Sequence, residues 1–167
     1  IIAEMKGLKE EAKRYDRLAR KMAKWWEKEA REDDHYRLAF DRDSTWSQKY
    51  NLIWDKIWKS NVFSPQVMSK EIAYYLKHQN IYGLPLDCRK DYTKSDWILW
   101  TATMADKPED FSALLSPVYK YIHETPSRVP TSDWHDTKTG RYQAFIARSV
   151  LGGYWMKVFM DKFHSQV

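Results

Sequence analysis

Residues 93–124, TKSDWILWTATMADKPEDFSALLSPVYKYIHE, indicate the fold class because their pattern predicts two helices joined by a short turn. Thr93 to Asp96 form a start like a capping box, and Pro108 suits the first position of the second helix. The apolar face of the first helix consists of Trp97, Trp100 and Met104. The inward residues of the second are Phe111, Leu114, Leu115, Val118 and Ile122, with a kink expected at Pro117. Two helices so connected are typical of a helical hairpin.

Four further helices are predicted outside this hairpin. They cover residues 2–32, about 48–59, a segment that begins at Ser64-Pro65, and about 144–163. The first carries an apolar stripe at the three- and four-residue spacing of a buried helix face. That stripe consists of Met5, Leu8, Ala12, Tyr15, Ala19, Met22, Trp26 and Ala30. No segment has a convincing strand pattern, so the sequence predicts an all-α fold.

Six helices in sequential pairs suggest stacked helical hairpins in a single unit over residues 1–167. The short turn at 105–108 would then lie at one end of the hairpins. The long loops at 80–93 and 126–143 would gather at the other, where a site is expected. Gly152-Gly153, inside the last predicted helix, indicates close approach of another part of the chain.

Composition argues against several classes of function. Lysine and arginine total 28 against 23 acidic residues, and the charges are interspersed, so nucleic acid is not an expected partner. No apolar run is long enough for a membrane span. Cys88 is the only cysteine, and His123 and His135 lie in no metal-binding pattern, so no metal site is expected. No phosphate loop or dinucleotide fingerprint is present, and no cofactor is expected.

Three polar, aromatic loops are candidates for a site: residues 43–50, 82–97 and 125–136. Each combines carboxylates, a cation and an aromatic side chain within a few positions. Aromatic rings can provide a stacking wall, cations can bind a carboxylate, and carboxylates can bind an amine or transfer protons. A purely structural interpretation remains open, because aspartate and serine also cap helices and tryptophan fills gaps in the core.

The same loops resemble a known family. The strings YNLIWDKIW (50–58), YGLPLDCRKDYTKSDWILWTATMAD (82–106) and ETPSRVPTSDWHDTKTGRYQAFIARSVLGGYW (124–155) are similar to the C-terminal region of the glutaminase A family. The resemblance covers roughly residues 40–160. It implies an α/α toroid of six helical hairpins, hydrolysis of L-glutamine to glutamate and ammonia, and a secreted or periplasmic location. With six helices, the chain would supply about half of that ring and would be inactive alone.

The chemistry of glutamine then suggests roles for the loop residues. Asp133 and Asp87 are the candidates for a catalytic general base. Arginine and lysine side chains are expected to bind the α-carboxylate, and aspartates the α-ammonium. The predicted substrate-binding residues are Trp46, Lys49, Arg89, Lys94, Asp96, Arg128 and Trp134.

Two other functions remain open at this point. A glycoside hydrolase or sugar-binding toroid also needs paired carboxylates and tryptophan platforms, for which Asp87, Asp133 and Asp136 are candidates. Alternatively, the chain is a structural module of a larger secreted protein. An open ring would expose an apolar edge, so the expected macromolecular partner is the missing half of the domain, or a second copy in a homodimer.

Overall fold

The computed structural model describes residues 1–165. Helices dominate it, with two short strands and two 3-10 segments. The helices are α1 (Ile2–Met5), α2 (Lys9–Ala30), α3 (Ile53–Ile57), α4 (Pro65–Lys77), α5 (Ser95–Thr103), α6 (Pro108–Glu124) and α7 (Met156–His164). The 3-10 segments are Tyr50–Leu52 and Ser149–Trp155, and the strands are β1 (Tyr92–Lys94) and β2 (Trp134–Asp136). The all-α prediction is therefore confirmed.

The hairpin of α5 and α6 lies at the centre of the fold, as the opening stretch predicts. Helix α5 packs against α6, α7 and the second 3-10 segment, which explains why it is buried on most sides. Helix α4 begins where expected: the Ser64 side chain accepts a hydrogen bond from the Gln66 N–H, and Pro65 occupies the first turn. The main core side chains are Ile53, Ile57, Val67, Tyr75, Leu84, Ile98, Leu114 and Val118.

The predicted N-terminal helix is broken, and most of its stripe is not buried. Gly7 has a φ of 73°, a left-handed conformation that ends α1 before α2 begins. In α2 only the last turns reach the core, where Ala23 and Ala30 are buried. Tyr15 and Met22 are 55% and 59% exposed. The periodic spacing identified an apolar face correctly, but nothing in residues 1–165 covers most of it.

The last predicted helix is shorter than expected. Residues 144–148 form a loop, in which Ala144 and Ala147 have positive φ, and α7 begins only at Met156. The close approach predicted at Gly152-Gly153 is confirmed at the second glycine. A Cβ atom on Gly153 would lie 2.8 Å from Trp100 Nε1. The 3-10 segment thus lies directly on α5.

Strands β1 and β2 were missed by the sequence analysis. They pair antiparallel, with Thr93 opposite His135 and Lys94 opposite Trp134. Each strand has three residues, too few for an alternating pattern to be recognised. Thr93, predicted to begin a capping box, is therefore a buried strand residue, and α5 begins two residues later. This ladder joins the second and third predicted loops.

Candidate functional site

The β1–β2 ladder brings together four of the predicted site residues: Lys94, Asp96, Asp133 and Trp134. Asp133 is fully buried, and Lys94 Nζ lies 3.0 Å from its Oδ2 atom. Arg148 Nε approaches the other oxygen, Oδ1, at 3.4 Å. The Asp133 backbone oxygen accepts a hydrogen bond from the Ser95 N–H at 2.7 Å, which fixes it to the first residue of α5. We call Lys94, Asp96, Asp133 and Arg148 the carboxylate cluster.

Asp96 is the least compensated member of this cluster. Its side chain is buried, and its Oδ1 atom has no hydrogen-bond partner. Burial raises the pKa of Asp96 to about 6, and the negative charge of Asp133 adds to the rise. A carboxyl group with this pKa can change its charge near neutral pH, which is common at functional sites.

Unpartnered polar atoms concentrate around the cluster. Seven buried side-chain atoms of the described residues lack a hydrogen-bond partner, and four of them belong to Asp96, Trp100, Asp133 and Trp134. The two tryptophans contribute their indole N–H groups, which are donors, while the aspartates contribute acceptor oxygens. Buried polar atoms are nearly always paired in native proteins, so this concentration suggests a place for a polar ligand or ordered water.

Two aromatic rings frame the cations of the cluster. Lys94 Nζ lies 4.5 Å from the ring centroid of Trp134 and 4.7 Å from that of Phe145. The Arg148 guanidinium also lies 4.5 Å from the Phe145 centroid. Unlike Lys94, whose side chain is 13% exposed, Arg148 is 38% exposed. It can therefore reach a carboxylate from solution while it contacts Asp133.

Two residues of the site, Arg148 and Tyr154, were not predicted from the sequence. Both lie in the segment that was predicted to be a uniform helix, where nothing marks one polar residue over another. The Tyr154 hydroxyl lies 2.7 Å from Ser95 Oγ, and burial raises the pKa of this phenol well above its usual value. Tyr154 therefore stays neutral and fastens the 3-10 segment to the start of α5.

An aromatic cleft of about 610 Å³ is lined by Trp97, the residue that follows Asp96 in α5. On one wall Tyr50 stacks on Trp97, with ring centroids 4.2 Å apart and planes inclined by 10°. Burial and then the charge of Asp96 raise the pKa of Tyr50, so this wall lies close to the cluster. Other residues that line the cleft include Trp26, Ser47, Lys49, Trp54, Trp58, Ser60 and Asp87.

Asp87 and Arg89, predicted from the second loop, form a pair of their own. Arg89 donates from Nε and Nη2 to the two Asp87 oxygens, at 2.9 and 2.6 Å. Burial opposes ionisation of Asp87, but the hydrogen bonds from Arg89 outweigh it and lower the pKa. Asp87 is therefore held as a carboxylate with both oxygens occupied, at the edge of the cleft.

The remaining predicted residues lie outside the carboxylate cluster. Trp46 is 8% exposed and packs against Tyr74 and Tyr75, so its indole belongs to the core. Lys49 lines the cleft instead. Arg128 is exposed and donates to the Thr125 carbonyl oxygen at 2.8 Å, which closes the turn after α6.

Within residues 1–165, no helix is both long and apolar enough to cross a membrane. The same part of the chain contains no grouping of three or more histidine, cysteine or acidic side chains that could hold a metal ion.

Comparison with known proteins identifies the family. The sequence model of the glutaminase A six helical-hairpin domain matches residues 1–158. Glutaminase A of Aspergillus oryzae is 36% identical over 124 residues, which cover 71% of this chain and 18% of the relative. A protein of Arthroderma benhamiae named probable glutaminase is 26% identical over 163 residues, 80% of this chain and 19% of the relative.

The chain thus spans under a fifth of the length of these curated relatives. No solved structure matches it. The helical hairpin of α5 and α6 agrees with the hairpin architecture that gives the matching domain its name, and the resemblance drawn from the loop motifs is confirmed. The chain belongs to the glutaminase A six helical-hairpin family.

Proposed function

We propose that this chain is part of a glutaminase that hydrolyses the side-chain amide of L-glutamine to glutamate and ammonia. Two curated relatives have glutaminase in their names. The observation that carries the proposal is the buried carboxylate of Asp96, which has an unpartnered oxygen and lies near Asp133, the carboxylate that the cations Lys94 and Arg148 contact. Charges of both signs, arranged side by side, suit the α-ammonium and α-carboxylate of a free amino acid.

In this proposal Asp96 binds the α-ammonium of glutamine. An uncompensated buried carboxylate is costly, and an incoming cation would remove most of that cost. Arg148 binds the α-carboxylate, because its guanidinium is partly exposed and suited to two parallel hydrogen bonds. Asp133 and Asp87 already engage cations through their oxygens, so we assign them positioning roles.

The rest of the substrate would extend into the aromatic cleft. Trp97 follows Asp96 directly in α5 and stacks on Tyr50 in the cleft wall. A flat carboxamide can pack on such rings while its polar atoms meet the side chains farther along the cleft.

We also propose that the site is completed by other hairpins of a longer protein, which is secreted or periplasmic. The exposed apolar face of α2, with Tyr15 and Met22, would pack against such a hairpin. This chain alone would then have little or no activity.

The test is ammonia release from L-glutamine by the full-length protein that contains this chain. Asp96→Asn should raise KM on the order of 100-fold, because a buried ion pair is worth roughly 3 kcal/mol. The same substitution should hardly affect hydrolysis of 4-carbamoylbutanoate, which is glutamine without its α-ammonium. A loss of equal size on both substrates would contradict the proposed contact.

Asp106→Asn is the matched control, since this carboxylate is 78% exposed and pairs with Lys56 outside the cluster. It should leave both reactions unchanged. A wild-type protein that releases reducing sugar from oligosaccharides, and no ammonia from glutamine, would refute the glutaminase proposal and favour the glycosidase alternative.

A further inference from the structure

Two cleft residues that are close in sequence, Ser47 and Lys49, form a hydrogen-bonded pair. Lys49 Nζ lies 3.0 Å from Ser47 Oγ. Both residues line the aromatic cleft and are partly exposed to it. A hydroxyl group in contact with an amine, on the wall of a cleft, is the arrangement that activates a serine nucleophile.

Among the groups that contact the Lys49 amine, the Ser47 hydroxyl is the one that can either donate or accept a hydrogen bond. Nζ also lies 3.1 Å from the Tyr36 carbonyl oxygen and 3.0 Å from that of Ser47. Carbonyl oxygens only accept, so they require two N–H groups of the amine. In the neutral amine the remaining tetrahedral position is a lone pair, which faces Ser47 Oγ. In the charged amine the same position is a third N–H, so both protonation states are satisfied.

The pair is held rigidly by its neighbours. The Tyr75 hydroxyl donates to the Ser47 carbonyl oxygen at 2.9 Å and accepts from the Lys49 N–H at 2.9 Å. Between them, Gln48 Nε2 donates to the Leu84 carbonyl oxygen at 3.1 Å and to Thr93 Oγ1 at 3.1 Å. Every residue of the Ser47–Lys49 turn is therefore anchored to the core, which preorganises the two reactive groups.

The neutral form of the Lys49 amine is favoured more strongly in this protein environment than it would be in water. Burial lowers the pKa of Lys49, and the nearby charge of Glu71 only partly offsets this effect. Glu71 itself is fully buried, and burial raises its pKa, which weakens its hold on the proton of Lys49. A lysine with a depressed pKa can serve as a general base nearer to neutral pH.

We propose that Ser47 is a nucleophile and Lys49 its general base in a covalent acyl-transfer site for primary carboxamides. The inference rests on the proposed glutaminase function for its substrate, and it places the chemistry at the opposite end of the substrate from Asp96. The site would accept the amide of glutamine while the carboxylate cluster holds the amino-acid head.

The reaction proceeds in two balanced steps. Ser47 Oγ bonds to the amide carbon as its proton passes to Lys49 Nζ, and the C–N bond then breaks as Lys49 gives that proton to the departing ammonia. The product is a γ-glutamyl ester of Ser47. Water next attacks the ester, giving a proton to Lys49; the ester C–O bond breaks, and Ser47 Oγ regains the proton as glutamate leaves.

The first test is labelling of the full-length protein that contains this chain with a fluorophosphonate probe, followed by mapping of the labelled peptides of this chain. We expect one adduct, on Ser47, formed at a rate that increases with pH and reaches half its maximum below the ordinary lysine pKa of 10.5. Ser47→Ala should lose it. Lys49→Arg should slow it at least tenfold, because a guanidinium cannot act as a base at these pH values.

Ser60→Ala is the matched control, since Ser60 lines the same cleft but donates its hydroxyl to Asp55. This variant should label at the wild-type rate. Absence of an adduct on Ser47 in the folded full-length wild-type protein would overturn the inference. So would labelling that Lys49→Arg leaves unchanged.

The second test uses the full-length protein, glutamine and hydroxylamine. Wild type should form γ-glutamyl hydroxamate, which reports a trapped acyl group, and Ser47→Ala should lose at least 1000-fold in kcat with little change in KM. Glutamine hydrolysis that persists in Ser47→Ala would refute the nucleophile and leave the proposed function intact. If wild type releases no ammonia from glutamine, the proposed function fails, while the labelling experiment still decides the Ser47–Lys49 pair.

Discussion

Asp96→Asn is expected to stabilise the fold at neutral pH. The Asp96 carboxyl is buried, and its Oδ1 atom has no hydrogen-bond partner. Above its pKa it carries a charge that repels the charge of Asp133. Asparagine has nearly the same shape and no charge. The substitution therefore removes a cost of folding without leaving a cavity.

The magnitude follows from the pKa. A rise from 3.8 in the unfolded chain to about 6 in the fold corresponds to a cost of roughly 3 kcal/mol in the free energy of unfolding. Between these two pH values the folded state binds more protons than the unfolded state, so this contribution to stability falls as pH rises. The cost is complete above about pH 6 and absent below 3.8.

Urea unfolding of the 167-residue chain at a series of pH values measures this effect. At pH 7.5 the free energy of unfolding of Asp96→Asn should exceed that of wild type by up to about 3 kcal/mol, and the difference should shrink toward zero near pH 4. Asp136→Asn is the control, for which the change in the free energy of unfolding should have the opposite sign. Hydrogen bonds from the backbone of Lys138 and Thr139 outweigh burial and lower the pKa of Asp136, so its removal should destabilise the fold at pH 7.5.

An unchanged stability of Asp96→Asn would contradict this prediction. If Asp96→Asn is no more stable than wild type at pH 7.5, and the difference does not change with pH, the Asp96 charge is compensated in solution. The proposed role of Asp96 as an unpaired receptor for an ammonium group would then lose its physical basis.

Two further predictions concern packing and pH. Gly153→Ala should cost about 1–3 kcal/mol, because its Cβ would lie 2.8 Å from Trp100 Nε1, whereas Gly152→Ala has open space and should change stability by under about 1 kcal/mol in thermal unfolding. Equal losses of stability in the two variants would contradict the close approach of Gly153 to Trp100. Burial lowers the pKa of His135 to about 4, so wild type should lose roughly 3 kcal/mol from this group between pH 6.5 and 4. His135→Gln keeps a donor for the Tyr82 carbonyl oxygen and should not show that loss; an unchanged pH profile would count against a neutral buried imidazole.

The elements with local signals could be predicted from the amino-acid sequence. The caps and apolar faces around residues 93–124 predicted α5 and α6, and Ser64-Pro65 predicted the start of α4, because caps and helix periodicity depend on residues a few positions apart. The loop motifs also determined the family. Within the candidate site, the sequence pointed to Lys94, Asp96 and Asp133, which lie in loops with mixed charges.

The sequence could not determine which apolar surfaces are covered. The stripe of α2 has a regular spacing, yet Tyr15 and Met22 are exposed, because spacing describes one helix and not its neighbour. Strands β1 and β2 were missed for a related reason. Their pairing joins Thr93 to His135 across 42 positions, and each strand is too short to be recognised without its partner.

The chemistry of the site depends on contacts that form only in the folded chain. The tertiary structure places Arg148 against Asp133, leaves the Oδ1 atom of Asp96 without a hydrogen-bond partner, and brings the Lys49 amine between Ser47 and the Tyr36 carbonyl oxygen. Charge compensation, burial and hydrogen-bond satisfaction depend on which groups meet in space. A sequence gives the groups, but their pKa values and reactivity arise from neighbours that folding brings to them from far along the chain.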